Sequence, residues 1–382
     1  MNKQKKDILI VFPDAHLSYS PSTLNLYDSL DEYFNVTIAT FSPLESYSSQ
    51  RVLNKNIEYL TFTNQTGIPL LRRLATELKK TFFSGSKDLD PLLTARAKVL
   101  IKSVKKFAGT IIAVDFFSLW CVQKAGKSAH LFSLEIPEND PYKNRCDLNS
   151  ILSVVIQTKD RYEYIFGKKE IRTFIVQNAP RYIARQINYE GRLNTNLVFC
   201  GSAMPAFGIF SCIEFILDYP EYSLTIKGAV PPSVRAGIRE NFQVLIAEKR
   251  LILDEEYLDA EELNIFLADY YIGFVFYDAY RFDYMNCFNY KTAPSGKLFQ
   301  YFNAGLPVVV SNIEGLKAVE QFGAGVMINA LNAASIKKAI ELIDADYLQI
   351  AKAAKKAALH NDFSKAIEPY IIYLNSVSGP QI

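Results

Sequence analysis

Cysteine, histidine and tryptophan are scarce in this chain, at five, three and one among 382 residues. The cysteines (Cys121, Cys146, Cys200, Cys212, Cys287) show no C-x-x-C spacing. They fit reduced, mostly buried thiols in a cytoplasm and argue against a disulfide scaffold or a zinc site. The histidines (His16, His130, His360) stand too far apart in sequence to suggest a metal cluster. A charge excess of one sign is also missing: 42 basic side chains face 40 acidic ones, for a net +2. That balance carries no global nucleic-acid signal. No apolar stretch approaches the ~18 residues of a membrane span. The apolar segment 8–12 behind the basic start MNKQKKD is too short for a signal peptide. Internal repeats at the ~20–50-residue periods of solenoids are absent too. With 49% hydrophobic and 21% charged residues, the chain is not disordered.

What the chain has is length for two domains, at ~100–200 residues each, and a regular alternation of short apolar runs with amphipathic segments. Residues 7–12 (DILIVF), 35–40, 56–62, 110–115 (TIIAVD), 129–133, 151–157 and 173–176 read as buried strands. Residues 21–34, with Leu24, Tyr27, Leu30 and Phe34, read as a helix. The turn-like Gln177-Asn178-Ala179-Pro180 closes the first half, and polar residues up to Asn196 form a linker. The pattern then restarts with strands at 197–200, 222–227, 251–253, 271–277, 307–311 and 325–328. Helices fall near 207–217, 260–268 and 295–304, and residues 333–358 carry helical spacing. Each half is Rossmann-like, and ligands of such sheets bind beyond the carboxyl ends of strands. The fold class is therefore α/β, with two facing sheets and one cleft between them.

The most informative stretch is 289–315, NYKTAPSGKLFQYFNAGLPVVVSNIEG. Pro294 interrupts a preceding helix, Ser295 suits an N-cap, and Gly296 lets backbone approach a ligand. Free amides and the positive end of the helix dipole suit a phosphate or diphosphate, and Lys297 adds a cation within the first turn. Gly305 suits a C-terminal cap before the strand that Pro307 opens. The Ser-Gly-Lys triplet is not an ATPase P-loop: Lys291 stands where that loop needs glycine, and Leu298 where it needs Ser or Thr. An ordinary helix start after Pro-Ser, with no ligand, is the competing reading.

The run PSGKLFQYFNAGLPVVVSNIEG resembles the carboxyl-terminal signature of retaining GT-B glycosyltransferases, close to glycosyltransferase family 4. Residues 197–201 resemble the strand and glycine loop that open that family's nucleotide domain. LTIKG at 224–228 resembles its strand ending in glycine, and IVQNAP at 175–180 its interdomain passage. The resemblance covers roughly 197–328 and is thin before Thr110. It implies a GT-B fold of two Rossmann-like domains: residues 1–180 on the acceptor side, 181–360 binding the nucleotide-sugar, and a C-terminal helix in 361–382 packing back on the first domain. It also implies retention at the anomeric carbon, no metal and no cofactor, the nucleotide-sugar being a substrate. No D-x-D-like metal motif stands near the site.

Residue by residue, the resemblance places the donor against Gly201, Lys227, Asn289, Tyr290, Ser295, Gly296, Lys297 and Gln300. The family's ribose-binding glutamate is Gln300 here, which can bond a hydroxyl without the strength of a carboxylate. The family's earlier glutamate falls on Thr292. The basic pair after the glycine loop is missing, since Ser202 follows Gly201 and the lysine position falls near Phe207. A departing diphosphate needs charge stabilisation, and Lys297 with the amides of Ser295 and Gly296 is the leading candidate. Lys227 reads either as a phosphate contact or as a solvated strand-end lysine. The aromatic stretch 277–290, with Asn289 and Tyr290, reads as a sugar-contacting loop or as a packed interface. Glu135, at a strand's carboxyl end, is the candidate catalytic group beside Lys297, a helix-cap or ion-pair role being the alternative. His16, in the first loop, is the acceptor-side candidate, with a surface histidine as the alternative.

Between Leu71 and Phe107 ten basic residues face three acidic ones, interleaved with Leu74, Leu78, Phe82 and Phe83. Such a segment suits an anionic membrane surface near a lipid-linked acceptor, or a solvated helix face. The expectation is a cytoplasmic glycosyltransferase, peripheral at the inner face of the membrane if that segment docks there. It would act on a surface-polysaccharide, glycolipid or other glycan acceptor. A non-catalytic GT-B scaffold protein in a glycan assembly complex and, behind it, a nucleotide-sugar epimerase are the alternatives.

Overall fold

The computed structural model describes residues 5–15, 17–41, 55–60, 91–136, 138–192 and 194–377. Two parallel sheets organise them. The first contains β1 (Asp7–Val11), β2 (Asn35–Phe41), β3 (Ile57–Leu60), β4 (Thr110–Val114), β5 (Ala129–Ser133), β6 (Ile151–Ile156) and β7 (Thr173–Ile175) in the order β3-β2-β1-β4-β5-β6-β7. The second contains β8 (Asn196–Cys200), β9 (Ser223–Lys227), β10 (Leu251–Asp254), β11 (Ile272–Val275), β12 (Val308–Ser311) and β13 (Gly325–Ile328) in the order β10-β9-β8-β11-β12-β13. Both orders reverse beside the first strand, so each sheet has one switch point at which a ligand crevice forms: between β1 and β4, and between β8 and β11.

The strands read as continuous apolar runs because both faces are covered. In β1, Leu9 and Val11 join one core cluster while Ile8 and Ile10 join the cluster on the opposite face. The second sheet repeats this: Leu197 and Phe199 point to one cluster, Val198 and Cys200 to the other. The helix Phe363–Val377 buries Phe363, Ile367, Tyr370, Ile371 and Leu374 against Ile8, Ile10 and Phe174 of the first sheet. The chain thus returns to its amino-terminal half after completing the second.

The helical segment 333–358 is two helices, Ala333–Asp344 and Tyr347–His360. Asp344 and Asp346, which compete with the backbone for hydrogen bonds, bracket the break. His16 and residues 71–90 of the basic segment lie outside the described residues. The remainder of that segment forms the helix Pro91–Lys106, on which Lys98, Lys102, Lys105 and Lys106 are exposed. Among the described residues no helix is long and apolar enough to cross a membrane.

Candidate functional site

At the switch point of the second sheet, β8 is followed by Gly201, which adopts φ +106°. Gly228, after β9, adopts φ +129° and packs directly on it: a Cβ at Gly228 would lie 2.5 Å from the Gly201 carbonyl oxygen. A Cβ on Gly201 would in turn lie 3.0 Å from Lys297 Cδ. Gly201 is therefore needed twice, for its left-handed backbone and for the passage of the lysine stem beneath the turn.

Lys297 belongs to the helix Gly296–Asn303, whose N-cap Ser295 makes no side-chain cap bond to the helix amides. The Ser295 side chain lies beside the Tyr277 phenol, whose pKa burial pushes up. Gly296 is exposed, and the atom nearest its missing Cβ is the Asn178 carbonyl oxygen of the interdomain passage, at 3.5 Å. The amino end of this helix thus opens toward the gap between the lobes. The Lys297 ammonium turns inward, 4.8 Å from the Phe199 ring centre and 4.5 Å from that of Phe207. Among the described residues it has no hydrogen-bond acceptor, and burial lowers its pKa to about 8, the nearby Cys200 and Cys212 opposing the shift. One turn on, the buried Oε1 of Gln300 also lacks a partner among the described residues. Two unsatisfied polar atoms thus lie at i and i+3 on one helix face, an ammonium wanting an acceptor and an amide oxygen wanting a donor.

Lys227 is placed differently. It is 3% exposed, its ammonium bonds Asp254 Oδ1 at 2.7 Å, and it lies over the Phe266 ring. Its charge is already neutralised within the domain.

Across the cleft, Glu135 follows β5 and is exposed, with Oε2 accepting from Asn289 Nδ2 at 2.7 Å. Asn289, 9% exposed, sits in the helix Phe288–Thr292, and its Oδ1 accepts from the Ile136 amide (3.0 Å) and from Arg161 Nη2 (2.9 Å). All its side-chain polar atoms are engaged between the domains. Tyr290, half-buried, packs beside Tyr277 and Tyr284, with ring centres 6.3 and 6.1 Å away; burial and then the Glu135 charge push its pKa up.

Two residues here escaped the sequence reading. Arg161, fully buried in the helix Lys159–Phe166, also donates to the Leu134 carbonyl (2.8 Å), the Asn289 carbonyl (3.3 Å) and Thr292 Oγ1 (3.2 Å). Burial lowers its pKa, against the pull of Glu135 and Asp115. Asp115 follows β4 with φ +59°, a strained value for a residue with a side chain. Its Oδ1 accepts from the Leu134 (2.7 Å) and Glu135 (3.1 Å) amides. Burial pushes its carboxyl up to about 7; the amide bonds oppose that shift, and the charges of Glu135 and Asp140 add to it. An arginine inside a polar KDRYEY run gives no sign of burial. Asp115 reads as the end of an apolar run, and only its strained backbone singles it out. Among the described residues no three His, Cys, Asp or Glu side chains group to hold a metal ion.

No family model matches the sequence, and no curated protein sequence matches it. Solved structures do match. The pneumococcal O-GlcNAc transferase GtfA, in complex with UDP and GlcNAc, superposes with a TM-score of 0.66 at 10% identity, over 98% of this chain and 99% of its own. Anabaena HepE, in complex with UDP and glucose, gives 0.65 at 14% identity over 97% and 99%. A Listeria monocytogenes protein assigned as a UDP-N-acetylglucosamine 2-epimerase gives 0.57 at 16% identity over 98% of each chain. At these identities the likeness is one of architecture, and it extends over nearly the whole of each chain. Together with the two parallel sheets and their strand orders, it establishes that this chain has the GT-B fold, two Rossmann-like domains facing across a cleft.

Proposed function

We propose that the protein is a glycosyltransferase that takes a sugar from a nucleoside-diphosphate sugar and delivers it to a glycan or lipid-linked acceptor. The observation that carries this reading is the unsatisfied pair on the Gly296–Asn303 helix, Lys297 Nζ and Gln300 Oε1. A buried ammonium without a partner is costly, and so is a buried amide oxygen without a donor. A nucleoside diphosphate supplies both missing partners: anionic oxygens for the lysine and the helix amides, and ribose hydroxyls for the glutamine. The pair stands at the β8/β11 switch point, where open parallel sheets bind ligands. GtfA and HepE were both solved with UDP and a sugar, which supports the same ligand class.

In this reading the bond between the anomeric carbon and the diphosphate breaks with its electrons passing to the phosphate oxygen. The helix amides and Lys297 stabilise that charge. With the family's basic pair absent after Gly201, Lys297 is the cation that takes over this work. Glu135 faces the sugar from the opposite lobe, and Gly201 and Gly296 let the ligand approach the backbone. Retention, independence from metal and the acceptor class belong to the proposal and rest on the resemblance in the signature helix. Asn289 and Tyr290 border the donor sugar in it, with Asn289 acting through Glu135.

The test is a titration of the full chain with UDP, GDP and their sugars, followed by release of free nucleoside diphosphate from any donor that binds. Binding with slow donor hydrolysis upholds the reading. Failure to bind any nucleotide favours the non-catalytic GT-B alternative, which Gln300 and the absent basic pair support.

A further inference from the structure

The segment that carries Glu135 is gripped on nearly every backbone group. Asp115 takes the amides of Leu134 and Glu135, while Arg161 and Gln157 both donate to the Leu134 carbonyl. Gln157 also donates to the carbonyl of Ser133. These grips come from the amino-terminal domain. The remaining ones come from the other: Asn289 takes the Ile136 amide and donates to the Glu135 carboxylate. Nearby, the Tyr164 ring stacks on Phe288 at 3.9 Å between centres and 8° between planes, and the Phe288 amide donates to Glu138 Oε1 at 3.3 Å. The Phe288–Thr292 helix is thus a hook from the second domain into the first.

Arg161 makes this hook discriminating. Its two terminal nitrogens bond only neutral acceptors, one on Leu134 in its own domain and three on the hook. Opening the cleft would strip it of three of these four bonds and release the Glu135 carboxylate from its anchor in the same movement. A planar guanidinium spans both domains at fixed angles, which a lysine ammonium cannot reproduce.

We propose that Arg161 and Asn289 are positioning residues that set the Glu135 carboxylate for transfer, and that they do so only when the two domains are closed. The role in transfer rests on the glycosyltransferase reading; the closure does not. Donor binding at Gly296 and Lys297 then communicates with Glu135 through three intervening residues, Ala293, Pro294 and Ser295, which join the hook to the signature helix.

The experiment uses the full chain and the variants Asn289→Ala, Arg161→Lys and Tyr164→Ala, each measured for UDP affinity, for donor turnover, and for radius of gyration by X-ray scattering with and without UDP. Asn289→Ala and Arg161→Lys should keep UDP affinity within about twofold and lose kcat by on the order of a hundredfold, the cost of a misplaced reacting group. Without UDP, Asn289→Ala should scatter as a more open particle than the parent chain and contract when UDP is added. Tyr164→Ala, which leaves the Glu135 anchor intact, should show the smaller loss of kcat. Unchanged kcat in folded Asn289→Ala overturns the proposal. So does a parallel loss of UDP affinity, which would make Asn289 a nucleotide contact instead. If Arg161→Lys does not fold, Asn289→Ala decides alone. If the parent chain binds no nucleotide, the transferase reading fails, and unchanged scattering of Asn289→Ala refutes the clasp separately.

Discussion

The two sides of the cleft treat their charged groups in opposite ways. On the carboxyl-terminal side, the Lys297 ammonium and the Gln300 amide oxygen are buried with no partner among the described residues. On the amino-terminal side, the Glu135 carboxylate and both terminal nitrogens of Arg161 are hydrogen-bonded across the domains to Asn289 and its helix, although Arg161 Nε and Gln157 Oε1 there also lack partners among the described residues. A charge bonded across the domains holds geometry, whereas an unpartnered one holds free energy that a ligand can release. The same contrast separates two lysines within one domain. Lys227 has Asp254 at 2.7 Å; Lys297 has two aromatic faces and, among the described residues, no anion.

The sharpest way to break this contrast is to remove each lysine in turn. Lys297→Ala should weaken UDP binding by about a hundredfold, the order of a lost charge-assisted bond. Lys297→Met should lose the same affinity yet raise stability by ~1–3 kcal/mol, because an unpaired buried charge is replaced by a side chain that wants burial. Lys227→Ala should do the reverse. Titration calorimetry should find UDP affinity within about twofold of the parent, and thermal unfolding should reveal a loss of ~3 kcal/mol from the stranded Asp254 carboxylate. Equal effects of the two lysines on binding would erase the distinction and the placement of the diphosphate with it.

Charge gives a second handle on the unpartnered side. The free Lys297 ammonium loses its proton near pH 8, because burial disfavours the charged form. A bound diphosphate favours that form and raises the pKa, so UDP affinity should fall above pH 8 by up to about tenfold per unit. Binding at pH 8.5 should take up a proton, visible as a buffer-dependent heat in calorimetry. An affinity flat from pH 7 to 9 would mean that Lys297 does not meet the phosphates.

How much of this was legible beforehand follows the physics of each feature. The strands were readable because parallel strands covered on both faces are nearly pure apolar runs: DILIVF and PVVVS need no context. Their ends were less so, as at 271–277, where only Ile272–Val275 pairs. The signature helix was readable from Pro294, Ser295 and Gly305, local devices for starting and stopping a helix. Its lysine was legible as a cation, but its inward turn was not, since that depends on Phe199, Phe207 and a glycine 96 residues away in sequence. Asn289 and Glu135 were each singled out, yet the bond between them crosses domains and has no local trace. Arg161 stayed hidden for the same reason, being buried by a partner from the other domain, and Asp115 because the amides it holds stand 19 and 20 residues further on.

Asp115 offers the finest test of the bonded side. Its carboxyl titrates near 7 in the folded chain and near 3.9 when unfolded. Between those values the folded state keeps a proton that the unfolded state has released, so this group makes stability fall as pH rises from about 4 to 7 and adds no slope above. Asp115→Asn removes the titration while keeping the shape and one acceptor oxygen for the Leu134 and Glu135 amides. The stability of the parent chain relative to this variant, from urea unfolding across pH 4–8, should therefore decline up to pH 7 and then level. A difference that stays flat from pH 4 to 8 would mean that the carboxyl remains ionised in the folded chain, with Arg161 outweighing burial. The grip on Glu135 would then be an ion-pair network, and the two sides of the cleft would differ less than their hydrogen bonds imply.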